Sequence, residues 1–270
     1  QFYKGDGEDF LVQGNVGLPF TDAGFVNISG EYVNASTTSR GIQRPDAQAL
    51  IDAGVQDVPV PAQRWGNPES EAARIFVNAG IELSEEMEFY TFGNYSWSRG
   101  TTAFFYRNPD ASFISTSIPL TNTPGGQRFS FRQLFPGGFT PDFGATVTDA
   151  ALAAGLKGEF SSGLTYDLSA SYGQNHASYR IENTVNPSLG LASPTSFKPG
   201  QLEQRELAFN LDLTYPIAIG TSDPLTLAGG LEYRRETYEI TAGDIASWQV
   251  GPFASVIDPD TGNRVGLPVG

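Results

Sequence analysis

The sequence predicts an all-β chain: an antiparallel transmembrane β-barrel, with about eight strands present as a slice of a larger barrel and long extracellular loops. Three observations predict it. Apolar residues recur at every second position in paired runs, each close to the ~9–11 residues of a membrane-crossing strand. Short turns join the two runs of a pair, whereas tens of residues join one pair to the next. And at 39% hydrophobic residues and a mean hydropathy of −0.23, nothing approaches the apolar run of a transmembrane helix, which needs ~18 residues or more.

The first hairpin covers residues near 10–33. Phe10, Val12, Val16, Leu18 and Phe20 alternate with Leu11, Gln13, Asn15 and Gly17, and Thr21-Asp22-Ala23-Gly24 turns the chain. Val26, Ile28 and Tyr32 return against Asn27, Ser29 and Glu31. A polar segment follows. Within it Arg44 to Gly54 reads as a short helix, with Pro45 in its first turn and Gly54 as a stop.

The second hairpin, near 75–98, sets Ile75, Val77, Ala79, Ile81 and Leu83 before a turn at Ser84 to Glu86. Its return strand leaves the register open, because Phe89, Tyr90, Phe92, Tyr95 and Trp97 occupy both faces. A loop rich in Phe, Pro and Gly runs from Gly100 to about Asp149. The third hairpin, near 150–173, pairs Leu152 to Phe160 with Leu164 to Tyr172 around Ser161-Ser162-Gly163. Gln174 to Gln204 reads as another loop. The fourth hairpin, near 205–240, is the clearest. Leu207, Phe209, Leu211 and Leu213 should face lipid together with Leu227 and Leu231, while Asn210, Asp212 and Glu232 face inward. Thr241 to Gly270 reads as a loop.

Turns at Thr21, Ser84, Ser161 and Gly220 therefore fall on one side and long loops on the other, the habit of outer-membrane barrels. Phe20, Phe25, Phe160, Tyr166 and Tyr215 lie at the short-turn ends, as an interfacial girdle would. The net charge of −14 excludes nucleic acid as a partner, which needs a basic face. With no Cys in the chain, disulfide scaffolds and Cys-metal sites are excluded. No secretory signal precedes Gln1, which is then a mature N-terminus or a point inside a longer chain.

Chemistry is sparse, and neither an enzyme nor a cofactor is expected. His176 is the single His and reads as a polar residue at the root of a loop. Asp258-Pro259-Asp260-Thr261-Gly262-Asn263 has oxygens at calcium-loop-like spacing without a distal Glu, and a plain turn is the simpler reading. Glu232, Arg234 and Glu236 form a solvated ladder on one strand face. Candidate ligand-binding residues, of lumen or loop, are Asn175, Tyr179, Arg234, Tyr238, Trp65 and Phe135; Trp65 and Phe135 are loop aromatics, as is Trp248.

Several segments resemble the barrel of TonB-dependent outer-membrane receptors. They are Gly5-Asp6-Gly7-Glu8-Asp9, Gly17-Leu18-Pro19-Phe20 with Gly24-Phe25-Val26-Asn27, and Phe92-Gly93-Asn94-Tyr95-Ser96. Leu134-Phe135-Pro136-Gly137-Gly138-Phe139 and Thr165 to Gly173 belong with them. The resemblance implies a bacterial outer-membrane location, contact with membrane lipid and lipopolysaccharide, and energy-coupled uptake of a scarce nutrient: a ferric siderophore, vitamin or oligosaccharide. It also implies a plug that fills a barrel of about 22 strands and meets a TonB-type coupling protein; neither plug nor coupling box is found in this sequence. The alternative is a complete small outer-membrane barrel with a structural or surface-binding role. Small inward residues such as Asn15, Ser29 and Ser169 would pack a narrow axis poorly. The strands near Phe10 and Ile240 are therefore expected not to pair, with more polypeptide on either side supplying the rest.

Overall fold

A computed structural model describes residues 5–269; residues 1–4 and Gly270 lie outside it. Eight long strands dominate: β1 (Asp9–Thr21), β2 (Gly24–Ala35), β3 (Glu69–Ser84), β4 (Met87–Ala103), β5 (Asp142–Glu159), β6 (Thr165–Glu182), β7 (Gly200–Ile217) and β8 (Leu225–Ala242). They form one antiparallel sheet in sequence order, with a two-residue strand at Ser196–Phe197 beside β6. Because each neighbour is antiparallel, the four tight turns share one end of the sheet and the three interstrand loops the other. Among the described residues β1 and β8 do not pair, so the sheet stays open.

The strands are longer than the alternation indicates. β5 starts at Asp142 and β6 runs on to Glu182, so much of 142–149 and 174–182, read as loop, is strand. The reason is that the outward face turns polar there while the other face turns apolar: Gln174, His176 and Ser178 stand where apolar residues stood lower down, Phe143, Val147, Tyr179 and Ile181 line the opposite side, and the alternation reverses phase while the hydrogen-bond ladder continues. His176 is thus a strand residue, opposite Thr148 and Glu203, rather than part of a loop root.

Register assigns the faces. Leu211 lies between Leu168 and Leu231; Leu168 faces Leu156, which faces Phe89, which faces Ile81. This row belongs to one broad, mainly apolar face, where Phe10, Val12, Leu18, Leu227 and Tyr233 are about half exposed and Leu231 more so. The face spans eight strands, and at ~4.8 Å per strand its band covers roughly 900 Å², well beyond the few hundred Å² a soluble monomer leaves bare. Asn210, Asp212 and Glu232 sit on the opposite face, as expected. The β4 register resolves as well: Phe89, Tyr95 and Trp97 join the apolar face, while Tyr90 and Phe92 stack on each other on the polar one. Phe25 is a correction. It pairs against Gly80 on the polar face, where an added Cβ would meet its ring, so it belongs to no outward girdle.

Side-chain burial is inverted relative to an ordinary domain. The largest fully buried side chains, Phe129, Phe131, Ile114 and Ile118, lie in loops. Residues 104–141 supply these with Phe139, residues 183–199 add Val185, and residues 243–269 add Leu267 and Phe253. Residues 36–68 pack separately through Ala47, Ala62 and Val58 on Tyr106. The helix α1 (Pro45–Asp52) forms where expected, with Pro45 at its start, and Gly54 follows it at φ +78, a conformation suited to glycine. The loops therefore make a packed cap, which no periodicity announces.

Candidate functional site

The polar face below this cap is the candidate site. One row crosses all eight strands with a polar side chain on each: Gln13, Glu31, Arg74, Ser96, Asp149, Asn175, Gln204 and Tyr238. Strand alternation places them on one face, and the ladder aligns them. Arg74 pairs with Glu31, and Asn175 Nδ2 donates to Asp149 Oδ1 at 2.6 Å. One row nearer the turns, Asn15 Nδ2 donates to Ser29 Oγ at 2.8 Å. Gln13, Asn15, Glu31, Arg74 and Asn94 surround a hollow of about 680 Å³.

Nearer the turns, Glu82, Glu88, Lys157, Asp167 and Asp212 follow one another across five strands. Lys157 Nζ approaches Glu88 Oε2 at 3.3 Å, and Tyr90 Oη donates to Asp167 at 2.8 Å. Asp167 and Asp212 stand directly opposite, a like-charge pair that an aqueous wall tolerates and a packed core does not.

Of the residues singled out from sequence, Asn175 and Tyr238 fall in the polar row itself. Arg234 shares their face, held by Glu232 at 3.3 Å and Glu236 at 3.8 Å, so the ladder reading describes the geometry found. Tyr179 is on the same face nearer the cap, where it ends a stack through Phe143 to Phe104, with centroids 5.6 and 5.4 Å apart. Asn175 and Tyr179 are strand residues of β6. Trp65 and Phe135 are not brought to this face. Trp65 meets Phe105 edge-on at 6.0 Å, and Phe135 packs on Phe139 within the cap core. Trp248 closes the short turn Ile245–Ser247. Sequence reading missed the Phe104–Phe143–Tyr179 stack; Phe104 and Phe143 lay in a stretch read as loop, and only continuation of the ladder reveals the pairing.

The Asp258–Asn263 turn is occupied from within. Arg128 Nη2 reaches Asp258 Oδ2 at 2.8 Å and its Nη1 reaches Asp260 Oδ2 at 3.0 Å. Asp258 Oδ1 also accepts from the Asp260 N–H, and Gly262 N–H returns to Asp258 O. The Arg128 guanidinium, foremost, and that N–H hold the Asp258 carboxyl below the ordinary carboxylate range. The carboxylates thus clamp residues 256–265 to the loop carrying Arg128. Across the cap, burial and then nearby Asp46 push the Tyr106 phenol up to about 12. Its hydroxyl donates to Gly137 O at 2.6 Å. Among the described residues there is no group of three or more His, Cys, Asp or Glu that could hold a metal ion, and no helix long and apolar enough to cross a membrane.

No protein-family model matches the chain, and no curated protein matches it. Among solved structures it is similar to the ferric-catecholate import receptor Fiu from E. coli K12 in its open form, at 11% identity and a TM-score of 0.34 over 87% of this chain and 44% of that chain. The closed form of Fiu gives 12% identity and a TM-score of 0.31, over 87% of this chain and 40% of that chain. The chain spans less than half the length of these structures.

Proposed function

We propose that the chain is wall and loop cap of an outer-membrane β-barrel of the TonB-dependent type, serving energy-coupled uptake of a scarce nutrient rather than catalysis. One observation carries this reading: the apolar band is slanted across the sheet. Its loop-side edge lies at Phe10 on β1, Trp97 on β4, Tyr172 on β6 and Tyr233 on β8. The hydrogen-bonded row that starts at Phe10 arrives on β8 at Thr241, eight residues from Tyr233. At ~3.4 Å per residue and ~4.8 Å per strand, eight residues over seven strand steps set the strands at about 38° to the normal of the band. Strands of outer-membrane barrels tilt by about 35–45°. A soluble sheet has no reason to keep its bare face parallel to a tilted plane.

In this reading the band meets lipid and the polar face meets the lumen. Asn175, Tyr238, Arg234 and Tyr179 are then wall residues available to a ligand. Edge groups of β1 and β8 open to hydrocarbon would cost several kcal/mol each, so further strands pair with both. The coupling protein acts through a plug that these residues do not include. The test is fractionation and transport by the full-length protein in its own cells. It should sediment with outer membranes and migrate faster unheated than boiled in SDS. Its deletion should abolish energy-dependent accumulation of one member of a panel of ferric siderophores, cobalamin and oligosaccharides. Recovery in the soluble fraction rejects the reading.

A further inference from the structure

Immediately on the cap side of the polar row, the same face of the sheet turns apolar. Val147, Ala177, Leu202 and Ile240 stand side by side from β5 to β8, and Val33 and Leu11 continue the row on β2 and β1. On the turn side of the polar row, Ala151, Gly173, Glu206 and Glu236 occupy the same four strands. The wall over β5 to β8 is therefore stepped: an apolar level, then Asp149 and Tyr238, then two glutamates beside a gap. Gly173 makes that gap, since no heavy atom lies within 4 Å of where its Cβ would stand.

The chemistry of this step suits one kind of occupant. Glu206 and Glu236 are directly opposite each other, an arrangement of like charges that costs free energy until a cation stands between them. The wall does not supply that cation. Arg74, Lys157 and Arg234 are the cations that the described strands turn to this face, and Glu31, Glu88 and Glu232 of the same face pair with them. Arg234 approaches Glu236 only at 3.8 Å, and Glu206 has no hydrogen bond or ion pair among the described residues. The Tyr238 ring, 61% exposed between the two levels, offers its π-face to a cation. Above it Ile240 is bare and Leu202 half-buried. Four residues along a strand, about 14 Å, separate the apolar level from the glutamates, whose side chains span part of it. We propose that the cargo is an amphipathic organic cation. Its ammonium or guanidinium group sits between Glu206 and Glu236 against Tyr238, and its apolar body lies on Val147, Leu202 and Ile240. The proposal rests on the lumenal placement of this face in the preceding section.

The test follows labelling of a thiol at the gap in full-length Gly173→Cys, purified in detergent. Residues 1–270 have no cysteine of their own, and any outside them is changed to serine. Neutral methyl methanethiosulfonate is the reagent. The protectants are phenylbutylammonium, its anionic counterpart phenylbutyrate, and butylammonium, which lacks the ring. Phenylbutylammonium should halve the labelling rate at about one tenth of the concentration that either of the others needs. E206Q/E236Q should remove its advantage over phenylbutyrate, and L202S its advantage over butylammonium, while heat-modifiable mobility shows both variants folded. Thr237→Cys, on the outward face, should be protected by none of them. Protection of Gly173→Cys by phenylbutyrate or butylammonium as good as by phenylbutylammonium overturns the proposal. So does equal protection at Thr237→Cys, which reports partition into detergent alone, and so do variants that keep both preferences. Recovery of the protein in the soluble fraction is seen before any labelling and sinks the lumenal placement and the cargo together.

Discussion

Replacing Leu211 with arginine is the sharpest trial of the assigned faces. Leu211 lies four residues below Leu207, the loop-side edge of the band on β7, and six above Ile217. Along a strand tilted by about 38° those offsets are roughly 11 and 16 Å, which puts the residue near the middle of an apolar belt about 25 Å tall. Its row neighbours Leu168 and Leu231 are apolar, and neither edge is within reach of an arginine side chain. The substitution should therefore cost about 2–4 kcal/mol. The assay is urea-titrated refolding of the full-length protein into phosphatidylcholine vesicles. Two companions calibrate it: Asn210→Arg on the polar face, and Thr237→Arg, which is outward-facing but four residues beyond Tyr233. Each should stay within about 0.5 kcal/mol of wild type. A Leu211→Arg cost below about 1 kcal/mol, or an Asn210→Arg cost that matches it, would show that the faces or the depth are wrong.

Other expectations concern the cap. Phe131→Ala, emptying a fully buried site among Phe129, Ile114 and Ile118, should cost the cap about 3–5 kcal/mol; limited proteolysis should cut within residues 104–141 while heat-modifiable mobility persists. The Asp258 carboxyl is held low by Arg128, so the clamp's contribution is complete above the ordinary carboxylate range and disappears as pH falls through the depressed value. Hydrogen exchange at the Asp260 N–H should then stay slow from pH 7 to about 5 in wild type and become fast throughout that range in Arg128→Ala. Because that guanidinium already occupies the turn, calcium added to wild type should produce no heat in titration calorimetry. Tyr106→Phe should remove from the ultraviolet titration a phenol that ionises near 12, and cost about 1 kcal/mol through loss of the bond to Gly137 O; disappearance of a phenol titrating near 10 would contradict its burial.

The four hairpins were legible because one face is apolar and the other wet, so that Leu207, Phe209, Leu211 and Leu213 print their geometry directly on the sequence. The outer halves of β5 and β6 were not. There the outward face turns wet while Phe143, Val147, Tyr179 and Ile181 line the other, so the alternation reverses phase and reads as a break in the strand. The β4 register also needed its partners, since Tyr90 and Phe92 are apolar enough to suit lipid and only pairing with Gly155 and Ala153 puts them on the polar side. Arg234 was placed on its face by alternation alone, whereas Asn175 lay in a stretch read as loop and only the ladder sets it in one row with Tyr238. Trp65 and Phe135 were picked for being aromatic, and an aromatic in a loop packs against other loops when enough of them meet. The cap core itself is assembled from Ile114, Phe129, Val185 and Leu267, residues scattered over some 150 positions with no local pattern to link them.

That cap changes what kind of sequence variation the protein can accept. Surface loops commonly drift freely, gaining and losing residues at little expense, whereas the strands beneath them are held by packing. Here residues 104–141 touch residues 36–68 through Tyr106, and residues 183–199 and 243–269 through the Phe131 cluster. A length change in one loop must be matched in at least one other. Any pressure on the exposed surface of the cap would then act on several segments at once, and exchange of a single loop for one of another length would break the cap. The outward strand positions, which ask only to be greasy, are where neutral drift should accumulate.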